Sequence, residues 1–506
     1  MNSNASAIPT SLEQTSPLPA WKEVLSFPVM MVFLLVGGMF MPLRSFNVDP
    51  DVWWHIKVGA TILATHHLPT TDPYSFTVHG SPWIAYEWLG EMLLAVVQHA
   101  WGLPGLMALA AVLTAAIMFA LYTLVTVRCG NSKAAFVACA VLVPMIYPSC
   151  SLRPQMLGYL FLVLTLIVLE RFRRGHTGAL WFLPPLFLVW INTHGSFVLG
   201  LFALGVYWAS GLVEIHWGDL VAKRWTSAQR LHLELTALLI LVALTITPYG
   251  TELCLYPLNM AFAQPINVSN IQEWQVMPFG EFFGKLFLLL ILAFVLAQVA
   301  LRQTWRLEEL VLFLAGVAAA CMHVRFVLVF VPFSAPMFAT ILARWIPPYD
   351  PAKDKYALNV VLMALFVGGI VWFFPSRAKL DKIVEQKWPV RAVAYLKQHP
   401  VPRPMYNTYG YGGYLVYELD GQNKTFIDGR GDLFERMGVL SDYLTIARLG
   451  VAAPSLLNAY GIQSCIIEHD EPLRTFLGNS PDWQIVYSDN VSAIFVRKQT
   501  RSAAEN

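Results

Sequence analysis

Residues Phe27 to His55 read FPVMMVFLLVGGMFMPLRSFNVDPDVWWH. An apolar run of membrane length, Phe27 to Leu43, leads directly into the acidic and aromatic stretch Val48-Asp49-Pro50-Asp51-Val52-Trp53-Trp54-His55. Carboxylates are costly near lipid. Two of them placed where the chain leaves the membrane mark a working site at the membrane surface.

The rest of the chain agrees with a membrane setting. Of 506 residues, 56% are hydrophobic and 13% charged, and the mean hydropathy is +0.53. A soluble protein carries roughly twice that charged fraction. The formal net charge of +2 points to no particular partner, and no basic tract suggests nucleic acid. Cysteines at 129, 139, 150, 254, 321 and 465 form no CxxC pair and no metal-ligand spacing, so they read as small apolar residues. Residues 1–26 begin as a polar Ser/Thr/Pro-rich stretch, expected to be a disordered cytoplasmic tail. They lack the basic start and small-residue cleavage site of a secretory signal, which leaves Phe27–Leu43 as an anchor.

Eleven apolar runs suit a span: 27–43, 104–127, 134–149, 155–170, 179–193, 196–214, 233–248, 283–300, 307–322, 326–343 and 357–375. Segment 86–100 is amphipathic with two acids and reads as a helix lying at the interface; the alternative, a twelfth span, would put the Arg171–Arg174 cluster outside. With the N-terminus inside, one face receives Lys22, Arg128, Lys133, the Arg171–Arg174 cluster, Lys223, Arg224, Arg230, Arg302, Arg306, Arg344, Lys353 and Lys355. The other face, ahead of the C-terminal region, receives only Arg44, Lys57, Arg153, Lys285 and Arg325. That bias sets the orientation and puts the chemically notable segments together on the outer face.

The spans define a transmembrane domain over 27–375, with a first extracytoplasmic loop at 44–103. From about Ser376 charges become regular and spans cease. Helices are expected at Val390–Gln398, Val439–Arg448 and Ser455–Tyr460. Buried strands are expected at Thr425–Asp428 and Cys465–Glu468, and a closing pair at Gln484–Ser488 and Ala493–Arg497. This alternation predicts an extracytoplasmic α/β domain over 376–506. Within it Tyr409 to Tyr414 reads as a flexible aromatic loop, and Phe426 to Asp432 ends a strand in charged residues. The two together read either as turn chemistry with a structural Arg–Asp pair or as a rim that stacks on sugar rings and holds the acceptor.

Several side chains stand out by position. A helix beginning at Pro50 would be capped by Asp49 and would put Asp51 and His55 on one face. Trp53 and Trp54 would then anchor it at headgroup level. Asp51 and His55 offer a divalent cation two ligands, too few to define a metal site. Asp72 before Pro73 is a turn former. Glu87 and Glu91 share a face of the interfacial helix, where solvation is the default. Arg153 and Arg325 sit at span ends on the cation-poor face, as snorkelling anchors or phosphate ligands. Asn192-Thr193-His194-Gly195-Ser196 is a tight turn between two spans. The 247–282 loop carries no Lys or Arg and reads as a re-entrant segment or lid.

Three groups of residues carry a family resemblance: Asp49-Pro50-Asp51-Val52-Trp53-Trp54-His55 with Gly59; Asn192-Thr193-His194-Gly195; and Gly412-Gly413-Tyr414-Leu415 with Phe426 to Arg430. In them the chain resembles bacterial GT-C glycosyltransferases related to protein mannosyltransferases and aminoarabinose transferases. The resemblance implies a GT-C-like polytopic α-helical membrane fold, a polyprenyl-phosphate-linked sugar as donor and inversion at the anomeric carbon. It implies a cell-envelope enzyme of glycan biosynthesis, in a bacterial inner membrane, acting on a glycan, lipid or protein acceptor. Metal dependence varies among such enzymes, so a divalent cation is left open. Better known relatives have adjacent acids, whereas Pro50 separates Asp49 from Asp51, so either is a candidate base. The donor phosphate falls to Arg153, His194, Arg325 and His55. The acceptor rim falls to Glu87, Asn192, Tyr411, Asp428 and Arg430. A transporter or flippase of lipid-linked saccharides would also need many spans, and a non-catalytic scaffold could present the C-terminal domain.

Overall fold

The structure is a computed structural model that describes residues 19–43, 49–146, 151–419 and 423–498. Residues 1–18, Arg44, Val48 and Cys150 of the sequence reading lie outside the described residues. The chain is a multi-pass helical membrane protein with a small sheet-containing C-terminal region. Among the described residues, seven helices are long and apolar enough to cross a bilayer: Ala20–Phe40, Trp88–Cys129, Gln155–Arg173, Ser227–Leu244, Phe282–Leu301, Val324–Leu342 and Tyr356–Phe373. Shorter helices at Ser132–Ile146, Thr177–Ile191, Phe197–Ser210 and Leu307–Met322 occupy the remaining expected runs. Leu241, Leu289, Leu296, Val299 and Leu365 are exposed on these helices, as lipid-facing side chains are. Trp88–Cys129 is two helical legs. Gly102, at φ 62° and ψ −150°, breaks it and Pro104 restarts it, which separates segment 86–100 from the span that follows.

The C-terminal region carries a four-stranded sheet in the order Met405–Asn407, Ser464–Glu468, Ser492–Arg497, Trp483–Ser488. The first pair is parallel and the others antiparallel. Helices at Val390–Gln398, Val439–Ala447 and Ala453–Ala459 fall close to their expected places. Two expectations fail. Tyr409–Glu418 is a helix rather than a flexible loop, because its apolar face finds a partner outside the local sequence. Thr425–Asp428 is buried but, among the described residues, makes only one bridge, Thr425 to Ser75, because the first loop takes the place of a neighbouring strand.

That first loop joins the two ends of the chain. Trp54, Val58, Tyr74 and Trp83 share one core with Tyr406, Phe426, Phe434 and Phe495. Trp53 packs edge-on against Tyr414 and Trp388. Both tryptophans are therefore buried, a correction to the headgroup anchoring read from sequence. A Cβ on Gly413 would lie 2.6 Å from the Pro50 carbonyl, so only glycine lets the Tyr409–Glu418 helix approach this closely. Arg430 completes the join by donating to Asp72 and to Asp428, each at 2.6 Å.

Candidate active site

Pro50 opens the helix Pro50–Thr65, and Asp49 caps it by accepting the Asp51 N–H at 3.0 Å. The cap turns the Asp51 carboxylate back toward the protein. Its Oδ1 accepts from Trp54 Nε1 at 3.2 Å and its Oδ2 from Arg153 Nη1 at 3.1 Å. Gly429 backs directly onto Oδ1, where a Cβ would stand at 1.9 Å. Burial lifts the Asp51 carboxyl to about 7; the Asp49 charge adds to the lift and Arg153 opposes it.

Arg153 stands just ahead of the helix Gln155–Arg173 and gathers three acids. Its Nε lies 3.2 Å from Asp49 Oδ2, and its Nη2 donates to Glu273 at 2.6 Å. The other oxygen of Glu273 lies 3.2 Å from Arg325 Nη1. Arg325 stacks over Trp274 at 4.2 Å, and Trp274 is held by His323, whose Nδ1 donates to its carbonyl at 2.6 Å. Burial pushes Glu273 up, but Arg153 and Arg325 outweigh it and bring the carboxyl down to about 2. The expected loop at 247–282 is largely helical, with Glu252–Phe262, Pro265–Asn270 and a turn at Gln272–Trp274. Sequence reasoning gave Glu273 no role. Its only signal was an acid in a segment without cations.

A second set of groups lies behind the first. His194 accepts the Ser196 N–H on Nδ1 at 3.0 Å, so its proton is on Nε2, which faces Glu87 Oε1 at 3.2 Å. Glu87 Oε2 is 3.4 Å from His55 Nε2, and His55 Nδ1 is 3.1 Å from Glu91 Oε1. Burial, with Arg325 and Arg153, lowers His194 to about 3. Burial, with Arg153 and His194, holds His55 well below its ordinary value. Burial lifts Glu87 to about 8, Arg153 opposing and Asp51 adding. A neutral His55 accepts through one nitrogen, so protonated Glu87 donates to it, and His55 Nδ1–H donates to Glu91. The result is a directed chain: Ser196, His194, Glu87, His55, Glu91. Glu87 and Glu91 are thus buried, not solvated as their interfacial helix suggested. A Cβ on Gly59 would meet the Glu91 carbonyl at 2.1 Å, which explains how the two helices come this close.

The structure places the other predicted residues in supporting positions. Asn192 accepts from Trp88 Nε1 at 3.0 Å and donates to the Leu188 and Ile246 carbonyls, fixing the start of the Glu87 helix rather than lining a rim. Tyr411 is buried and its hydroxyl donates to the Val491 carbonyl. Asp428 and Arg430 are buried in the pair with Asp72. Asp428 and Arg430 thus form the structural pair that was one of their two readings, with Asp72 of the first loop covering it, and Tyr411 packs within the C-terminal region; none of the three stands at a rim. Asp51 and His55 take separate partners. Among the described residues, no group of three or more His, Cys, Asp or Glu is arranged to hold a metal ion.

The chain has the fold of the GT-C membrane glycosyltransferases, the fold its motifs resemble. It matches 68% of an Archaeoglobus fulgidus oligosaccharyltransferase tethered to an acceptor peptide containing the NVT sequon, over 86% of its own length (TM-score 0.54, 14% identity). Ninety-three per cent of it matches 98% of ArnT from Cupriavidus metallidurans bound to undecaprenyl phosphate (TM-score 0.53, 14% identity). Eighty-six per cent matches 69% of Archaeoglobus fulgidus AglB in complex with an inhibitory peptide and a dolichol-phosphate (TM-score 0.51, 12% identity). No family model and no curated protein matches the sequence.

Proposed function

We infer that the protein is a membrane glycosyltransferase that moves a sugar from a polyprenyl-phosphate carrier to an acceptor on the extracytoplasmic face. The observation that carries this reading is the junction at Arg153, where Asp51 and Glu273 meet one guanidinium at 3.1 and 2.6 Å and a second, Arg325, stands beside it. Solved structures of the same fold hold undecaprenyl phosphate or a dolichol-phosphate. In this reading Asp51 removes the proton of the attacking acceptor, which a carboxyl near 7 is suited to do at neutral pH. The acceptor atom bonds to the anomeric carbon from the face opposite the leaving group, the carbon–oxygen bond to phosphate breaks, and the configuration inverts. Charge grows on the departing phosphate, where Arg153 and Arg325 stabilise it. Glu273 occupies both guanidinium groups until the phosphate displaces it. Asp49 caps the base helix, and the His194–Glu87–His55–Glu91 chain fixes the floor beneath.

The test is in-membrane transfer from a panel of radiolabelled polyprenyl-phosphate sugars, comparing wild type with Asp51→Asn. Turnover of one donor that is lost in the variant supports the reading. Absence of turnover from a folded protein across a broad panel would sink it in favour of a transporter or scaffold.

A further inference from the structure

The end of the bundle opposite Arg153 carries charges that the proposed transfer does not use. Arg306 grips Glu170 through two nitrogens at 2.9 and 3.1 Å, and Arg173 pairs with Glu308 at 2.9 Å. Arg128 pairs with Glu309, and Arg174 reaches Glu170 at 3.5 Å. Arg171, in the same cluster, is exposed and has no ion-pair partner among the described residues. It lines an apolar groove instead. The groove runs between the helices Trp88–Cys129 and Gln155–Arg173 and the turn Thr177–Phe182, with a volume of about 580 Å³. Phe119, Ala120, Leu160, Leu164 and Phe182 are among its walls. Its one hydroxyl, on Thr123, already donates to the Phe119 carbonyl at 2.8 Å.

The dimensions match one lipid leaflet. Leu160 to Arg171 along the helix covers roughly 16 Å at ~1.5 Å per residue, about half of a ~30 Å hydrocarbon core. The groove therefore runs from headgroup level to the bilayer middle. We propose that it seats one anionic phospholipid of the leaflet opposite the Arg153 site, its acyl chain in the groove and its phosphate on Arg171. An unpaired guanidinium at the mouth favours a headgroup with net negative charge. A sugar headgroup would find a single polar side chain free to receive it, too few for recognition. This inference does not rest on the proposed transfer, and its readout is not turnover.

The test is native mass spectrometry of the full chain released from nanodiscs of phosphatidylcholine and phosphatidylglycerol. Wild type should retain one phosphatidylglycerol in preference to phosphatidylcholine. Arg171→Gln should lower that retention about fivefold. Ala116→Phe, which fills the groove and leaves Arg171 in place, should lower it as well. Arg224→Gln, a cation on the same face away from the groove, should leave it unchanged. Equal retention of the two lipids, no response to either groove variant, or an equal loss in Arg224→Gln would each overturn the proposal.

Discussion

Glu273 bridges the two guanidinium groups that the proposed donor phosphate needs, so its charge competes with the substrate's. A carboxyl brought from 4.5 to about 2 prefers its charged form by about 3 kcal/mol. Thirty per cent of the side chain is exposed, and solvent screening reduces the usable part to about 1–2 kcal/mol. Glu273→Gln keeps the shape and one acceptor oxygen but removes the charge. Undecaprenyl phosphate should therefore bind about tenfold more tightly to the purified variant, with about two orders of magnitude as the ceiling. The product should gain more than the donor, because a phosphate monoester carries more negative charge than the sugar-bearing diester. The variant should then complete a first turnover at the wild-type rate and slow in later ones. Equilibrium binding and a burst experiment measure the two effects separately. Equal or weaker binding in the variant would refute the reasoning and make Glu273 part of the phosphate seat.

The same geometry makes three further predictions. Transfer should rise with pH through about 7 as Asp51 ionises. Because the Asp49 charge raises Asp51, Asp49→Asn should move that limb of the kcat/KM profile to lower pH while Asn still caps the helix; an unmoved limb would remove Asp51 as the titrating base. Glu87 holds its proton more tightly folded than unfolded, so stability should fall as pH rises from 4.5 to about 8, by about 5 kcal/mol at most. Glu87→Gln, which donates and accepts as the protonated acid does, should flatten the dependence of Tm on pH, and an unchanged slope would refute the assignment. Gly429→Ala puts a Cβ into Asp51 Oδ1 and should lower kcat about 100-fold through misplacement alone, with undecaprenyl phosphate binding retained; wild-type kcat would show that Asp51 tolerates the shift.

What the sequence revealed depended on how local the cause was. The spans, the break before Pro104 and the Asp49 cap were legible because each follows from neighbours within a turn or two. Trp53 and Trp54 misled because an aromatic pair at a membrane exit looks the same whether it meets headgroups or the helix Tyr409–Glu418, more than 350 residues away. Asp428 and Arg430 were singled out as charged residues after an apolar run, but their partner, Asp72, lies in the first loop and had been assigned to a turn. It makes that turn too, accepting the Tyr74 and Ser75 N–H groups at 3.1 and 3.0 Å. Glu91 and Glu87 were taken for a wet face because a helical pattern shows which residues share a side, not what covers it.

The joined ends of the chain also indicate which part of the site can move. Arg430 sits between Asp72 and Asp428 with all three side chains at or below 1% exposure. Separating the first loop from the C-terminal region would strand buried charge, a loss of about 3–5 kcal/mol for one broken partner. The wall that carries Gly413 and Gly429 is therefore fixed to the helix Pro50–Thr65. Glu273 rides on a different support. The segment before it is held by Glu435, which accepts the Ile266 and Asn267 N–H groups at 2.8 and 2.6 Å, and by Tyr256, whose hydroxyl donates to Asp432 at 2.9 Å. Asn267 and Asp432 are themselves buried, so these bonds tie the segment to the C-terminal region, and each lost partner costs about 1–3 kcal/mol. Withdrawal of Glu273 from Arg153 and Arg325 thus requires this segment and the Trp274 turn to shift together, with loss of the His323 bond to the Trp274 carbonyl and of the Arg325 stack, while Asp51, its cap and its glycine backing stay where they are.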